Sequence, residues 1–356
     1  MNPNLFTLVL LTNGRHNFTE RWLKYMHEIS FNYKILIGDG SNDENTNKLV
    51  RKINNDKKLD IEVYNYNTLN SYEEYYKMEF EIISKVSTKY VMLCDNDDFI
   101  IKSGVEEVIN YLENNNQYIS ASGKIANFEI NNYQFVDYGN KVNFIGFCLY
   151  QRKKEPLESF EDQIKSTFKD FQPNFYNVFK TEYLLQISKE LTQLNFSDLV
   201  VNEFYIQLRA PILGKNIILE NSCHYIRQRG TSSLSSGYVF SIDLLKKNLP
   251  KDVRKMSEKI SNLLSLNDNN KLAEYNALIL ESYSNYLNFY LSNTTLRYRF
   301  KKLYKTKLFF LSIKNKIFNK IYPIYLIFFE NIKIIRDIKS KKIQNEIKKI
   351  IKFLKI

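Results

Sequence analysis

The chain has 356 residues and a formal net charge of +12, but the excess sits at one end: residues 291–356 hold 18 basic and 3 acidic side chains, and the first 290 residues hold 33 and 36. That balance excludes a nucleic-acid binder whose basic surface lies on the main body of the chain, and the length suffices for one large α/β domain with a sizeable core and a smaller companion. The cysteines, Cys94, Cys148 and Cys223, are odd in number and lack metal-ligand spacing, which argues against a disulfide framework and for a reduced, cytoplasmic setting.

Over the first 122 residues strand and helix alternate. Leu5 to Leu11 reads as the first strand; it has no basic leader and is too short for a signal peptide. Asn17, with Glu20 three residues on, predicts a capped helix whose apolar face is Phe18, Trp22, Tyr25, Met26 and Ile29. Tyr33 to Ile37 is a second strand, ending in Gly38-Asp39-Gly40-Ser41, and Ile61 to Tyr64 a third. Ser71 and Glu74 predict the cap of the next helix. Then comes the run Tyr90 to Cys94, which stops at Asp95, Asp97 and Asp98, with a further helix capped by Ser103 and Glu106 and a strand near Tyr118 to Ala121. This βαβ alternation predicts a mostly parallel, Rossmann-like sheet with helices on its faces.

Residues 123–195 are harder to read: Asn143 to Tyr150 is strand-like and Gln151 to Asp162 is charged. A helix from about Leu199 ends at Gly214-Lys215, Ile217 to Leu219 looks like a short strand, and His224 to Ser236 reads as a polar, basic loop. Beyond Tyr238 the pattern is helical, which divides the chain into a domain over 1–237 and a helical, Lys-rich region over 238–356. No run reaches the 18 or so apolar residues of a spanning helix.

The acids carry the chemistry. Asp95, Asp97 and Asp98 follow a buried-looking strand directly, and Asp39 follows another; in a parallel sheet both strand ends lie on the carboxyl edge, where ligands bind. Three neighbouring carboxylates repel one another unless a cation sits among them, and Mg²⁺ or Mn²⁺ suits such oxygen ligands and shares them with substrate phosphates. Alone, an Asp-x-Asp is more often a solvated turn, and Asp39 beside Gly40 could be a plain turn residue. A phosphatase of the haloacid-dehalogenase type would need Thr or Val where Phe99 stands, and an EF-hand loop would need Gly where Ile100 stands.

In order, these parts resemble glycosyltransferase family 2, the inverting nucleotide-sugar transferases of GT-A fold. The resemblance covers roughly residues 5–236. It is carried by Leu8-Val9-Leu10-Leu11-Thr12-Asn13-Gly14-Arg15, by Gly38-Asp39-Gly40-Ser41, by Cys94-Asp95-Asn96-Asp97-Asp98 and by Asn202-Glu203 opening a helix that runs to Gly214-Lys215. It implies that Thr12 and Asp39 face the nucleoside of the donor, that Asn13 and Arg15 also bind the nucleotide sugar, that Asp95 lies by the ribose, and that Asp97, with Asp98, binds Mn²⁺ or Mg²⁺. Glu203 falls at the catalytic-base position, where the family commonly has Asp, with Asp198 as the alternative. His224-Tyr225-Ile226-Arg227-Gln228-Arg229 resembles the family's Arg-Gln-His-like loop, so Arg227 and Arg229 are expected on the diphosphate and His224 as a further metal ligand. Lys77 is a further phosphate candidate. The implied partners are a nucleotide-sugar donor, most often UDP-linked, and a glycan or lipid-linked glycan acceptor, with no nucleic acid. A worn, non-catalytic nucleotide-sugar-binding scaffold is the alternative, since Glu203 replaces Asp and Arg229 replaces His.

The end of the chain is separate. Ile343, Ile347, Ile350, Ile351 and Leu354 recur at helical spacing with lysines opposite. Such a helix either lies on an anionic membrane surface, which would make the protein peripheral at the inner face of the cell membrane, or packs on the catalytic domain or a second subunit.

Overall fold

The structure, a computed structural model, describes residues 2–130, 137–139, 142–147, 159–169, 174–229, 249–266, 268–299 and 340–355. The strands are β1 (Phe6–Thr12), β2 (Lys34–Asp39), β3 (Ile61–Asn65), β4 (Tyr90–Cys94), β5 (Phe99–Ile100), β6 (Tyr118–Ile130), β7 (Val142–Phe147), β8 (Val178–Lys180) and β9 (Lys215–Gln228). The helices are α1 (His16–Glu28), α2 (Asn45–Ile53), α3 (Tyr72–Ile83), α4 (Lys102–Asn114), α5 (Phe160–Lys169), α6 (Thr181–Leu194), α7 (Leu199–Leu213), α8 (Leu249–Ser265), α9 (Asn269–Arg299) and α10 (Lys341–Leu354).

All the described strands form one sheet in the order β3-β2-β1-β4-β8-β6-β9-β5, with β7 also paired to β6. The half from β3 to β4 is parallel, as the βαβ pattern predicts. The other half is mixed: β8 runs antiparallel to β4 and β6, while β6 and β9 are parallel. The sheet is therefore an α/β sheet with a parallel half rather than parallel throughout.

Alternation along the strands explains why the apolar runs are continuous. Phe6, Leu8 and Leu10 of β1, with Tyr90, Met92 and Cys94 of β4, enter one core; Val9, Leu11, Val91 and Leu93 enter the other. A sheet buried on both faces has no polar side to show in its sequence. Residues of α1, α4 and α10 fill the first core, and residues of α3, α6, α7, α8 and α9 the second. Both cores draw on residues either side of position 237. No helix among the described residues is long and apolar enough to cross a membrane.

One of the three expected caps forms: Glu74 N donates to Ser71 Oγ at 3.2 Å, while Glu74 Oε2 reaches one residue further back and accepts from Asn70 N at 2.6 Å. The other two yield to tertiary structure. α1 begins before Asn17, because Gly14 (φ 76°) and Arg15 (φ 59°) turn the chain in the left-handed region and Arg15 O takes the N–H groups of Phe18 and Thr19. Ser103 lies inside α4, and its own N–H is capped from far away, by Glu346 Oε2 of α10 at 3.2 Å.

One further expectation changes, and one alternative is decided. The loop predicted from His224 is strand up to Gln228; the ladder with β6 skips Glu220, Asn221 and Ser222 between Leu219 and Cys223 and then resumes. That bulge makes one strand look like a short strand and a loop. For α10 the packing alternative holds: its apolar stripe lies on the catalytic domain. Ile343, Ile347, Ile350 and Leu354 are buried in the first core, and Phe353 meets Phe99 and Tyr25 edge-on, with ring centroids 6.1 and 5.7 Å apart.

Close packing of α4 on β9 yields a stability prediction. A Cβ on Gly104 would stand 1.9 Å from the Cys223 carbonyl oxygen, a backbone atom held in the sheet. Gly104→Ala is expected to destabilise the fold by about 3 kcal/mol or more, as overpacking against a rigid neighbour does. Denaturant unfolding of the two proteins measures it, and an unchanged midpoint would refute the contact.

Candidate active site

The carboxyl ends of β1, β2 and β4 meet at one edge of the sheet. Thr12 and Asp39 are register partners in the β1–β2 ladder. Asn96, between the acids, ties the β4 turn to them: its Nδ2 donates to Thr12 Oγ1 at 3.2 Å and to Thr19 Oγ1 at 3.0 Å. Thr12 Oγ1 in turn donates to Gly14 O at 3.0 Å, so its hydroxyl shapes the turn. Asp39 is buried; its Oδ1 accepts from Ser41 N at 3.0 Å and Ser41 Oγ at 2.6 Å, and its Oδ2 has no hydrogen-bond partner among the described residues. A buried carboxylate oxygen without a donor is costly, and a ligand N–H or O–H at this edge would satisfy it.

Each acid of the β4 turn is held by one oxygen. Asp95 Oδ2 accepts from Tyr176 Oη at 3.0 Å, Asp97 Oδ2 pairs with Arg15 Nη2 at 2.9 Å, and Asp98 Oδ1 accepts from Gln228 N at 2.8 Å. Their ligand oxygens lie within 4.8 Å of one another, and they are the one such group among the described residues. That donor set fits a hard divalent cation such as Mn²⁺ or Mg²⁺. Burial first, then Asp97, pushes Asp95 up to about 6, against the pull of Arg227, Tyr176 and Arg15. Burial and Asp97 likewise hold Asp98 well above the carboxylate range, with Arg227 opposing.

Much of the opposing charge comes from within the chain. Arg15 stands on Asp97, and Arg21 is fully buried beneath it. Arg21 Nη2 donates to Asp97 O at 2.5 Å and Nη1 to Gln228 Oε1 at 2.7 Å, and the guanidinium lies 4.9 Å from each of the Phe18 and Phe99 rings. Burial lowers its pKa only to about 10, so it remains a cation. Arg227 lies 5.0 Å over the ring of Tyr176, which stacks on Tyr225 at 4.3 Å, and Tyr225 Oη accepts from Asp95 N at 3.1 Å. The expectation that only a bound cation could hold the three acids together is therefore too strict.

Glu203, half-buried on α7, lies in electrostatic range of Asp95, Asp198 and Arg227. Burial pushes its carboxyl up to about 7, with Arg227 opposing and Asp95 and Asp198 adding to the rise. Its helix is fixed from behind by Arg209, whose Nε and Nη2 reach Glu190 at 2.7 and 2.9 Å, and by Tyr205 Oη on the same carboxylate at 2.6 Å. Asp198 does different work. It caps α7, its Oδ1 accepting from Val200 N at 2.9 Å and Val201 N at 3.2 Å. Of the two base candidates, Glu203 is the one not committed to a cap.

The remaining sequence candidates divide. His224 leaves the metal set: it is buried, Nδ1 accepts from Gly123 N at 3.1 Å, Nε2 bonds Tyr176 O at 2.7 Å, and burial lowers its pKa to about 4. With both ring nitrogens on backbone groups, no lone pair is free for a metal. Asn13 is exposed and its amide leans on Leu69 O at 3.4 Å. Arg229 is exposed just past β9. Lys77 is exposed on α3, about 200° around the helix from Tyr75, the residue whose hydroxyl feels Asp95 and Glu203. It is not brought to the cluster.

Two residues of the site escape the sequence reading. Tyr176 lies in the stretch whose periodicity gives nothing. Arg21 carried a usable signal: it falls on the stripe Phe18, Trp22, Tyr25, where a charge has to find buried partners.

No protein family and no curated protein matches this sequence. Among solved structures, TarS 1-349 of S. aureus in complex with UDP-GlcNAc is similar at a TM-score of 0.46 and 12% identity, over 81% of this chain and 92% of that one. The mannosyltransferase PcManGT from Pyrobaculum calidifontis, in complex with GDP-Man and Mn²⁺, is similar at 0.42 and 12%, over 88% and 87%. Likeness at these levels carries no weight for chemistry, which rests on the side chains of the site.

Proposed function

We propose that this chain is an inverting, divalent-cation-dependent glycosyltransferase of GT-A type, moving a sugar from a nucleotide donor, UDP-linked by the resemblance of its motifs, to a glycan or lipid-linked glycan. The observation that carries the reading is the carboxylate trio Asp95, Asp97 and Asp98, whose ligand oxygens lie within 4.8 Å of one another, with Glu203 in electrostatic range of Asp95 and Arg227. Asp39 Oδ2 is the free acceptor for the base or ribose of the donor, and Asp95, Asp97 and Asp98 would hold the cation. A bound Mn²⁺ or Mg²⁺ supplies a Lewis acid that stabilises charge on the leaving diphosphate. In this reading Arg227 and Arg15 take the same charge through paired N–H donors. Glu203 accepts the proton of the acceptor hydroxyl as its oxygen bonds the anomeric carbon; the bond from that carbon to the diphosphate oxygen breaks in the same displacement, and the nucleoside diphosphate leaves with the electron pair. One displacement inverts the anomeric centre. The reading sets the reaction in the cytoplasm, in keeping with the free thiols of Cys94 and Cys223.

Incubation of the purified protein with a panel of nucleotide sugars and Mn²⁺ or Mg²⁺ tests this. One donor is expected to be cleaved, faster with an acceptor glycan present. No cleavage, together with no nucleotide binding by calorimetry with or without the metal, would overturn the reading.

A further inference from the structure

α10 buries its apolar face and turns a second face outward. On that outer face Lys341, Lys342, Lys348, Lys349, Lys352 and Lys355 are exposed, and Asn345 is the other exposed residue of the helix. Lys342 is paired, its Nζ 2.9 Å from Glu106 Oε2. The one acid of the helix, Glu346, is turned inward to the Ser103 N–H. Glu106 is likewise shared with Tyr33 Oη at 3.0 Å. Five lysines are left along a rod of about 21 Å with no acid of their own helix among them.

We propose that this lysine face docks the protein on an anionic lipid bilayer by charge alone, without insertion. The packing dictates the mode. A helix that lies in a bilayer interface needs a free apolar face, and the apolar face here holds Ile343, Ile347, Ile350 and Leu354 inside the protein core. What faces out is cationic and rigid, held by Phe353 against Phe99 and by Gly139 N to Leu354 O at 3.0 Å. A single-stranded nucleic acid is a poorer match, because the outer face offers no aromatic platform on which bases could stack. Each lysine near an anionic surface is worth about a fivefold gain in partitioning, so four of them give several hundredfold. The proposal does not rest on the reaction, since docking needs neither donor nor turnover.

The test is co-sedimentation of the full-length protein with vesicles of neutral phosphatidylcholine, or of phosphatidylcholine with about one third phosphatidylglycerol, an anionic surface of the kind that attracts basic segments. The comparison is with a variant carrying Lys348→Gln, Lys349→Gln, Lys352→Gln and Lys355→Gln. Deleting the helix would be uninformative because it opens the core; these exposed substitutions leave the core alone, and an unchanged thermal midpoint confirms it. The unaltered protein is expected to sediment with the anionic vesicles only and to be released by salt, and the variant to lose binding by about a hundredfold or more. Equal binding to both vesicle types, binding that resists salt, or full binding by the variant would overturn the proposal. So would a soluble polyanion such as heparin binding tightly while the vesicles bind weakly, which would give the face to a polymer instead.

Discussion

Glu203→Gln will lower the rate of sugar transfer by about a hundred- to ten-thousandfold, the range that a positioned general base supplies. Gln keeps the shape and a carbonyl oxygen but cannot take the proton. The pH profile gives the same test from another side. Burial raises the Glu203 carboxyl to about 7, so in the free enzyme it carries a proton below that pH and is a competent base above it. With Mn²⁺ saturating, so that Asp95 and Asp98 stay ionised, kcat/KM of the unaltered protein is therefore expected to rise with pH through about 7 and then level off, and in the Gln variant that limb disappears. The sign follows from the role: an acid catalyst would give the opposite slope. Rates measured from pH 5.5 to 8.5 (a span of about 1.5 units either side, enough to define one titration) decide it. A variant with full activity, or an unaltered protein whose rate falls across that range, moves the base elsewhere.

The parts of this site differ in how well the sequence displays them, and the reason is physical. Asp39 and the Asp95–Asp98 turn are legible because they end apolar runs buried on both faces, so a strand and its carboxyl edge can be read together. Glu203 is singled out by the resemblance alone, helped by the clear ends of α7 at Asp198 and Gly214. Tyr176 is hidden because a three-residue 3₁₀ turn, Asn174–Tyr176, has no period to detect. His224 is a metal ligand only by the resemblance; both of its ring nitrogens bond backbone groups, and the bulge at Glu220 to Ser222 hides from the sequence that it lies in a strand. The tail shows the converse case. Its amphipathic period reveals a buried stripe but not what buries it, and here the partners are Tyr25, Phe99 and Ser103, residues about 240 to 330 positions earlier in the chain.

Asp97→Asn will abolish donor cleavage and the response of the fold to Mn²⁺. Asn is nearly isosteric and keeps an oxygen for Arg15, which now stands 2.9 Å from Asp97 Oδ2, so the turn should persist while the trio loses a charge. A ligand that binds only the folded protein stabilises it by about 2.7 kcal/mol at a hundred times its Kd. Mn²⁺ is therefore expected to raise the thermal midpoint of the unaltered protein measurably and that of Asp97→Asn not at all. Arg15→Gln separates the two sources of positive charge at this carboxylate. It frees Asp97 from a guanidinium that competes with the metal, so Mn²⁺ should bind more tightly, yet it removes a donor to the diphosphate, so KM for the nucleotide sugar should rise. Opposite movements of those two constants would show that Arg15 and the metal share one carboxylate. If Mn²⁺ leaves the unaltered protein's midpoint unchanged and the donor is still cleaved without metal, the arginines alone balance Asp95, Asp97 and Asp98, and the metal requirement falls while the base assignment stands.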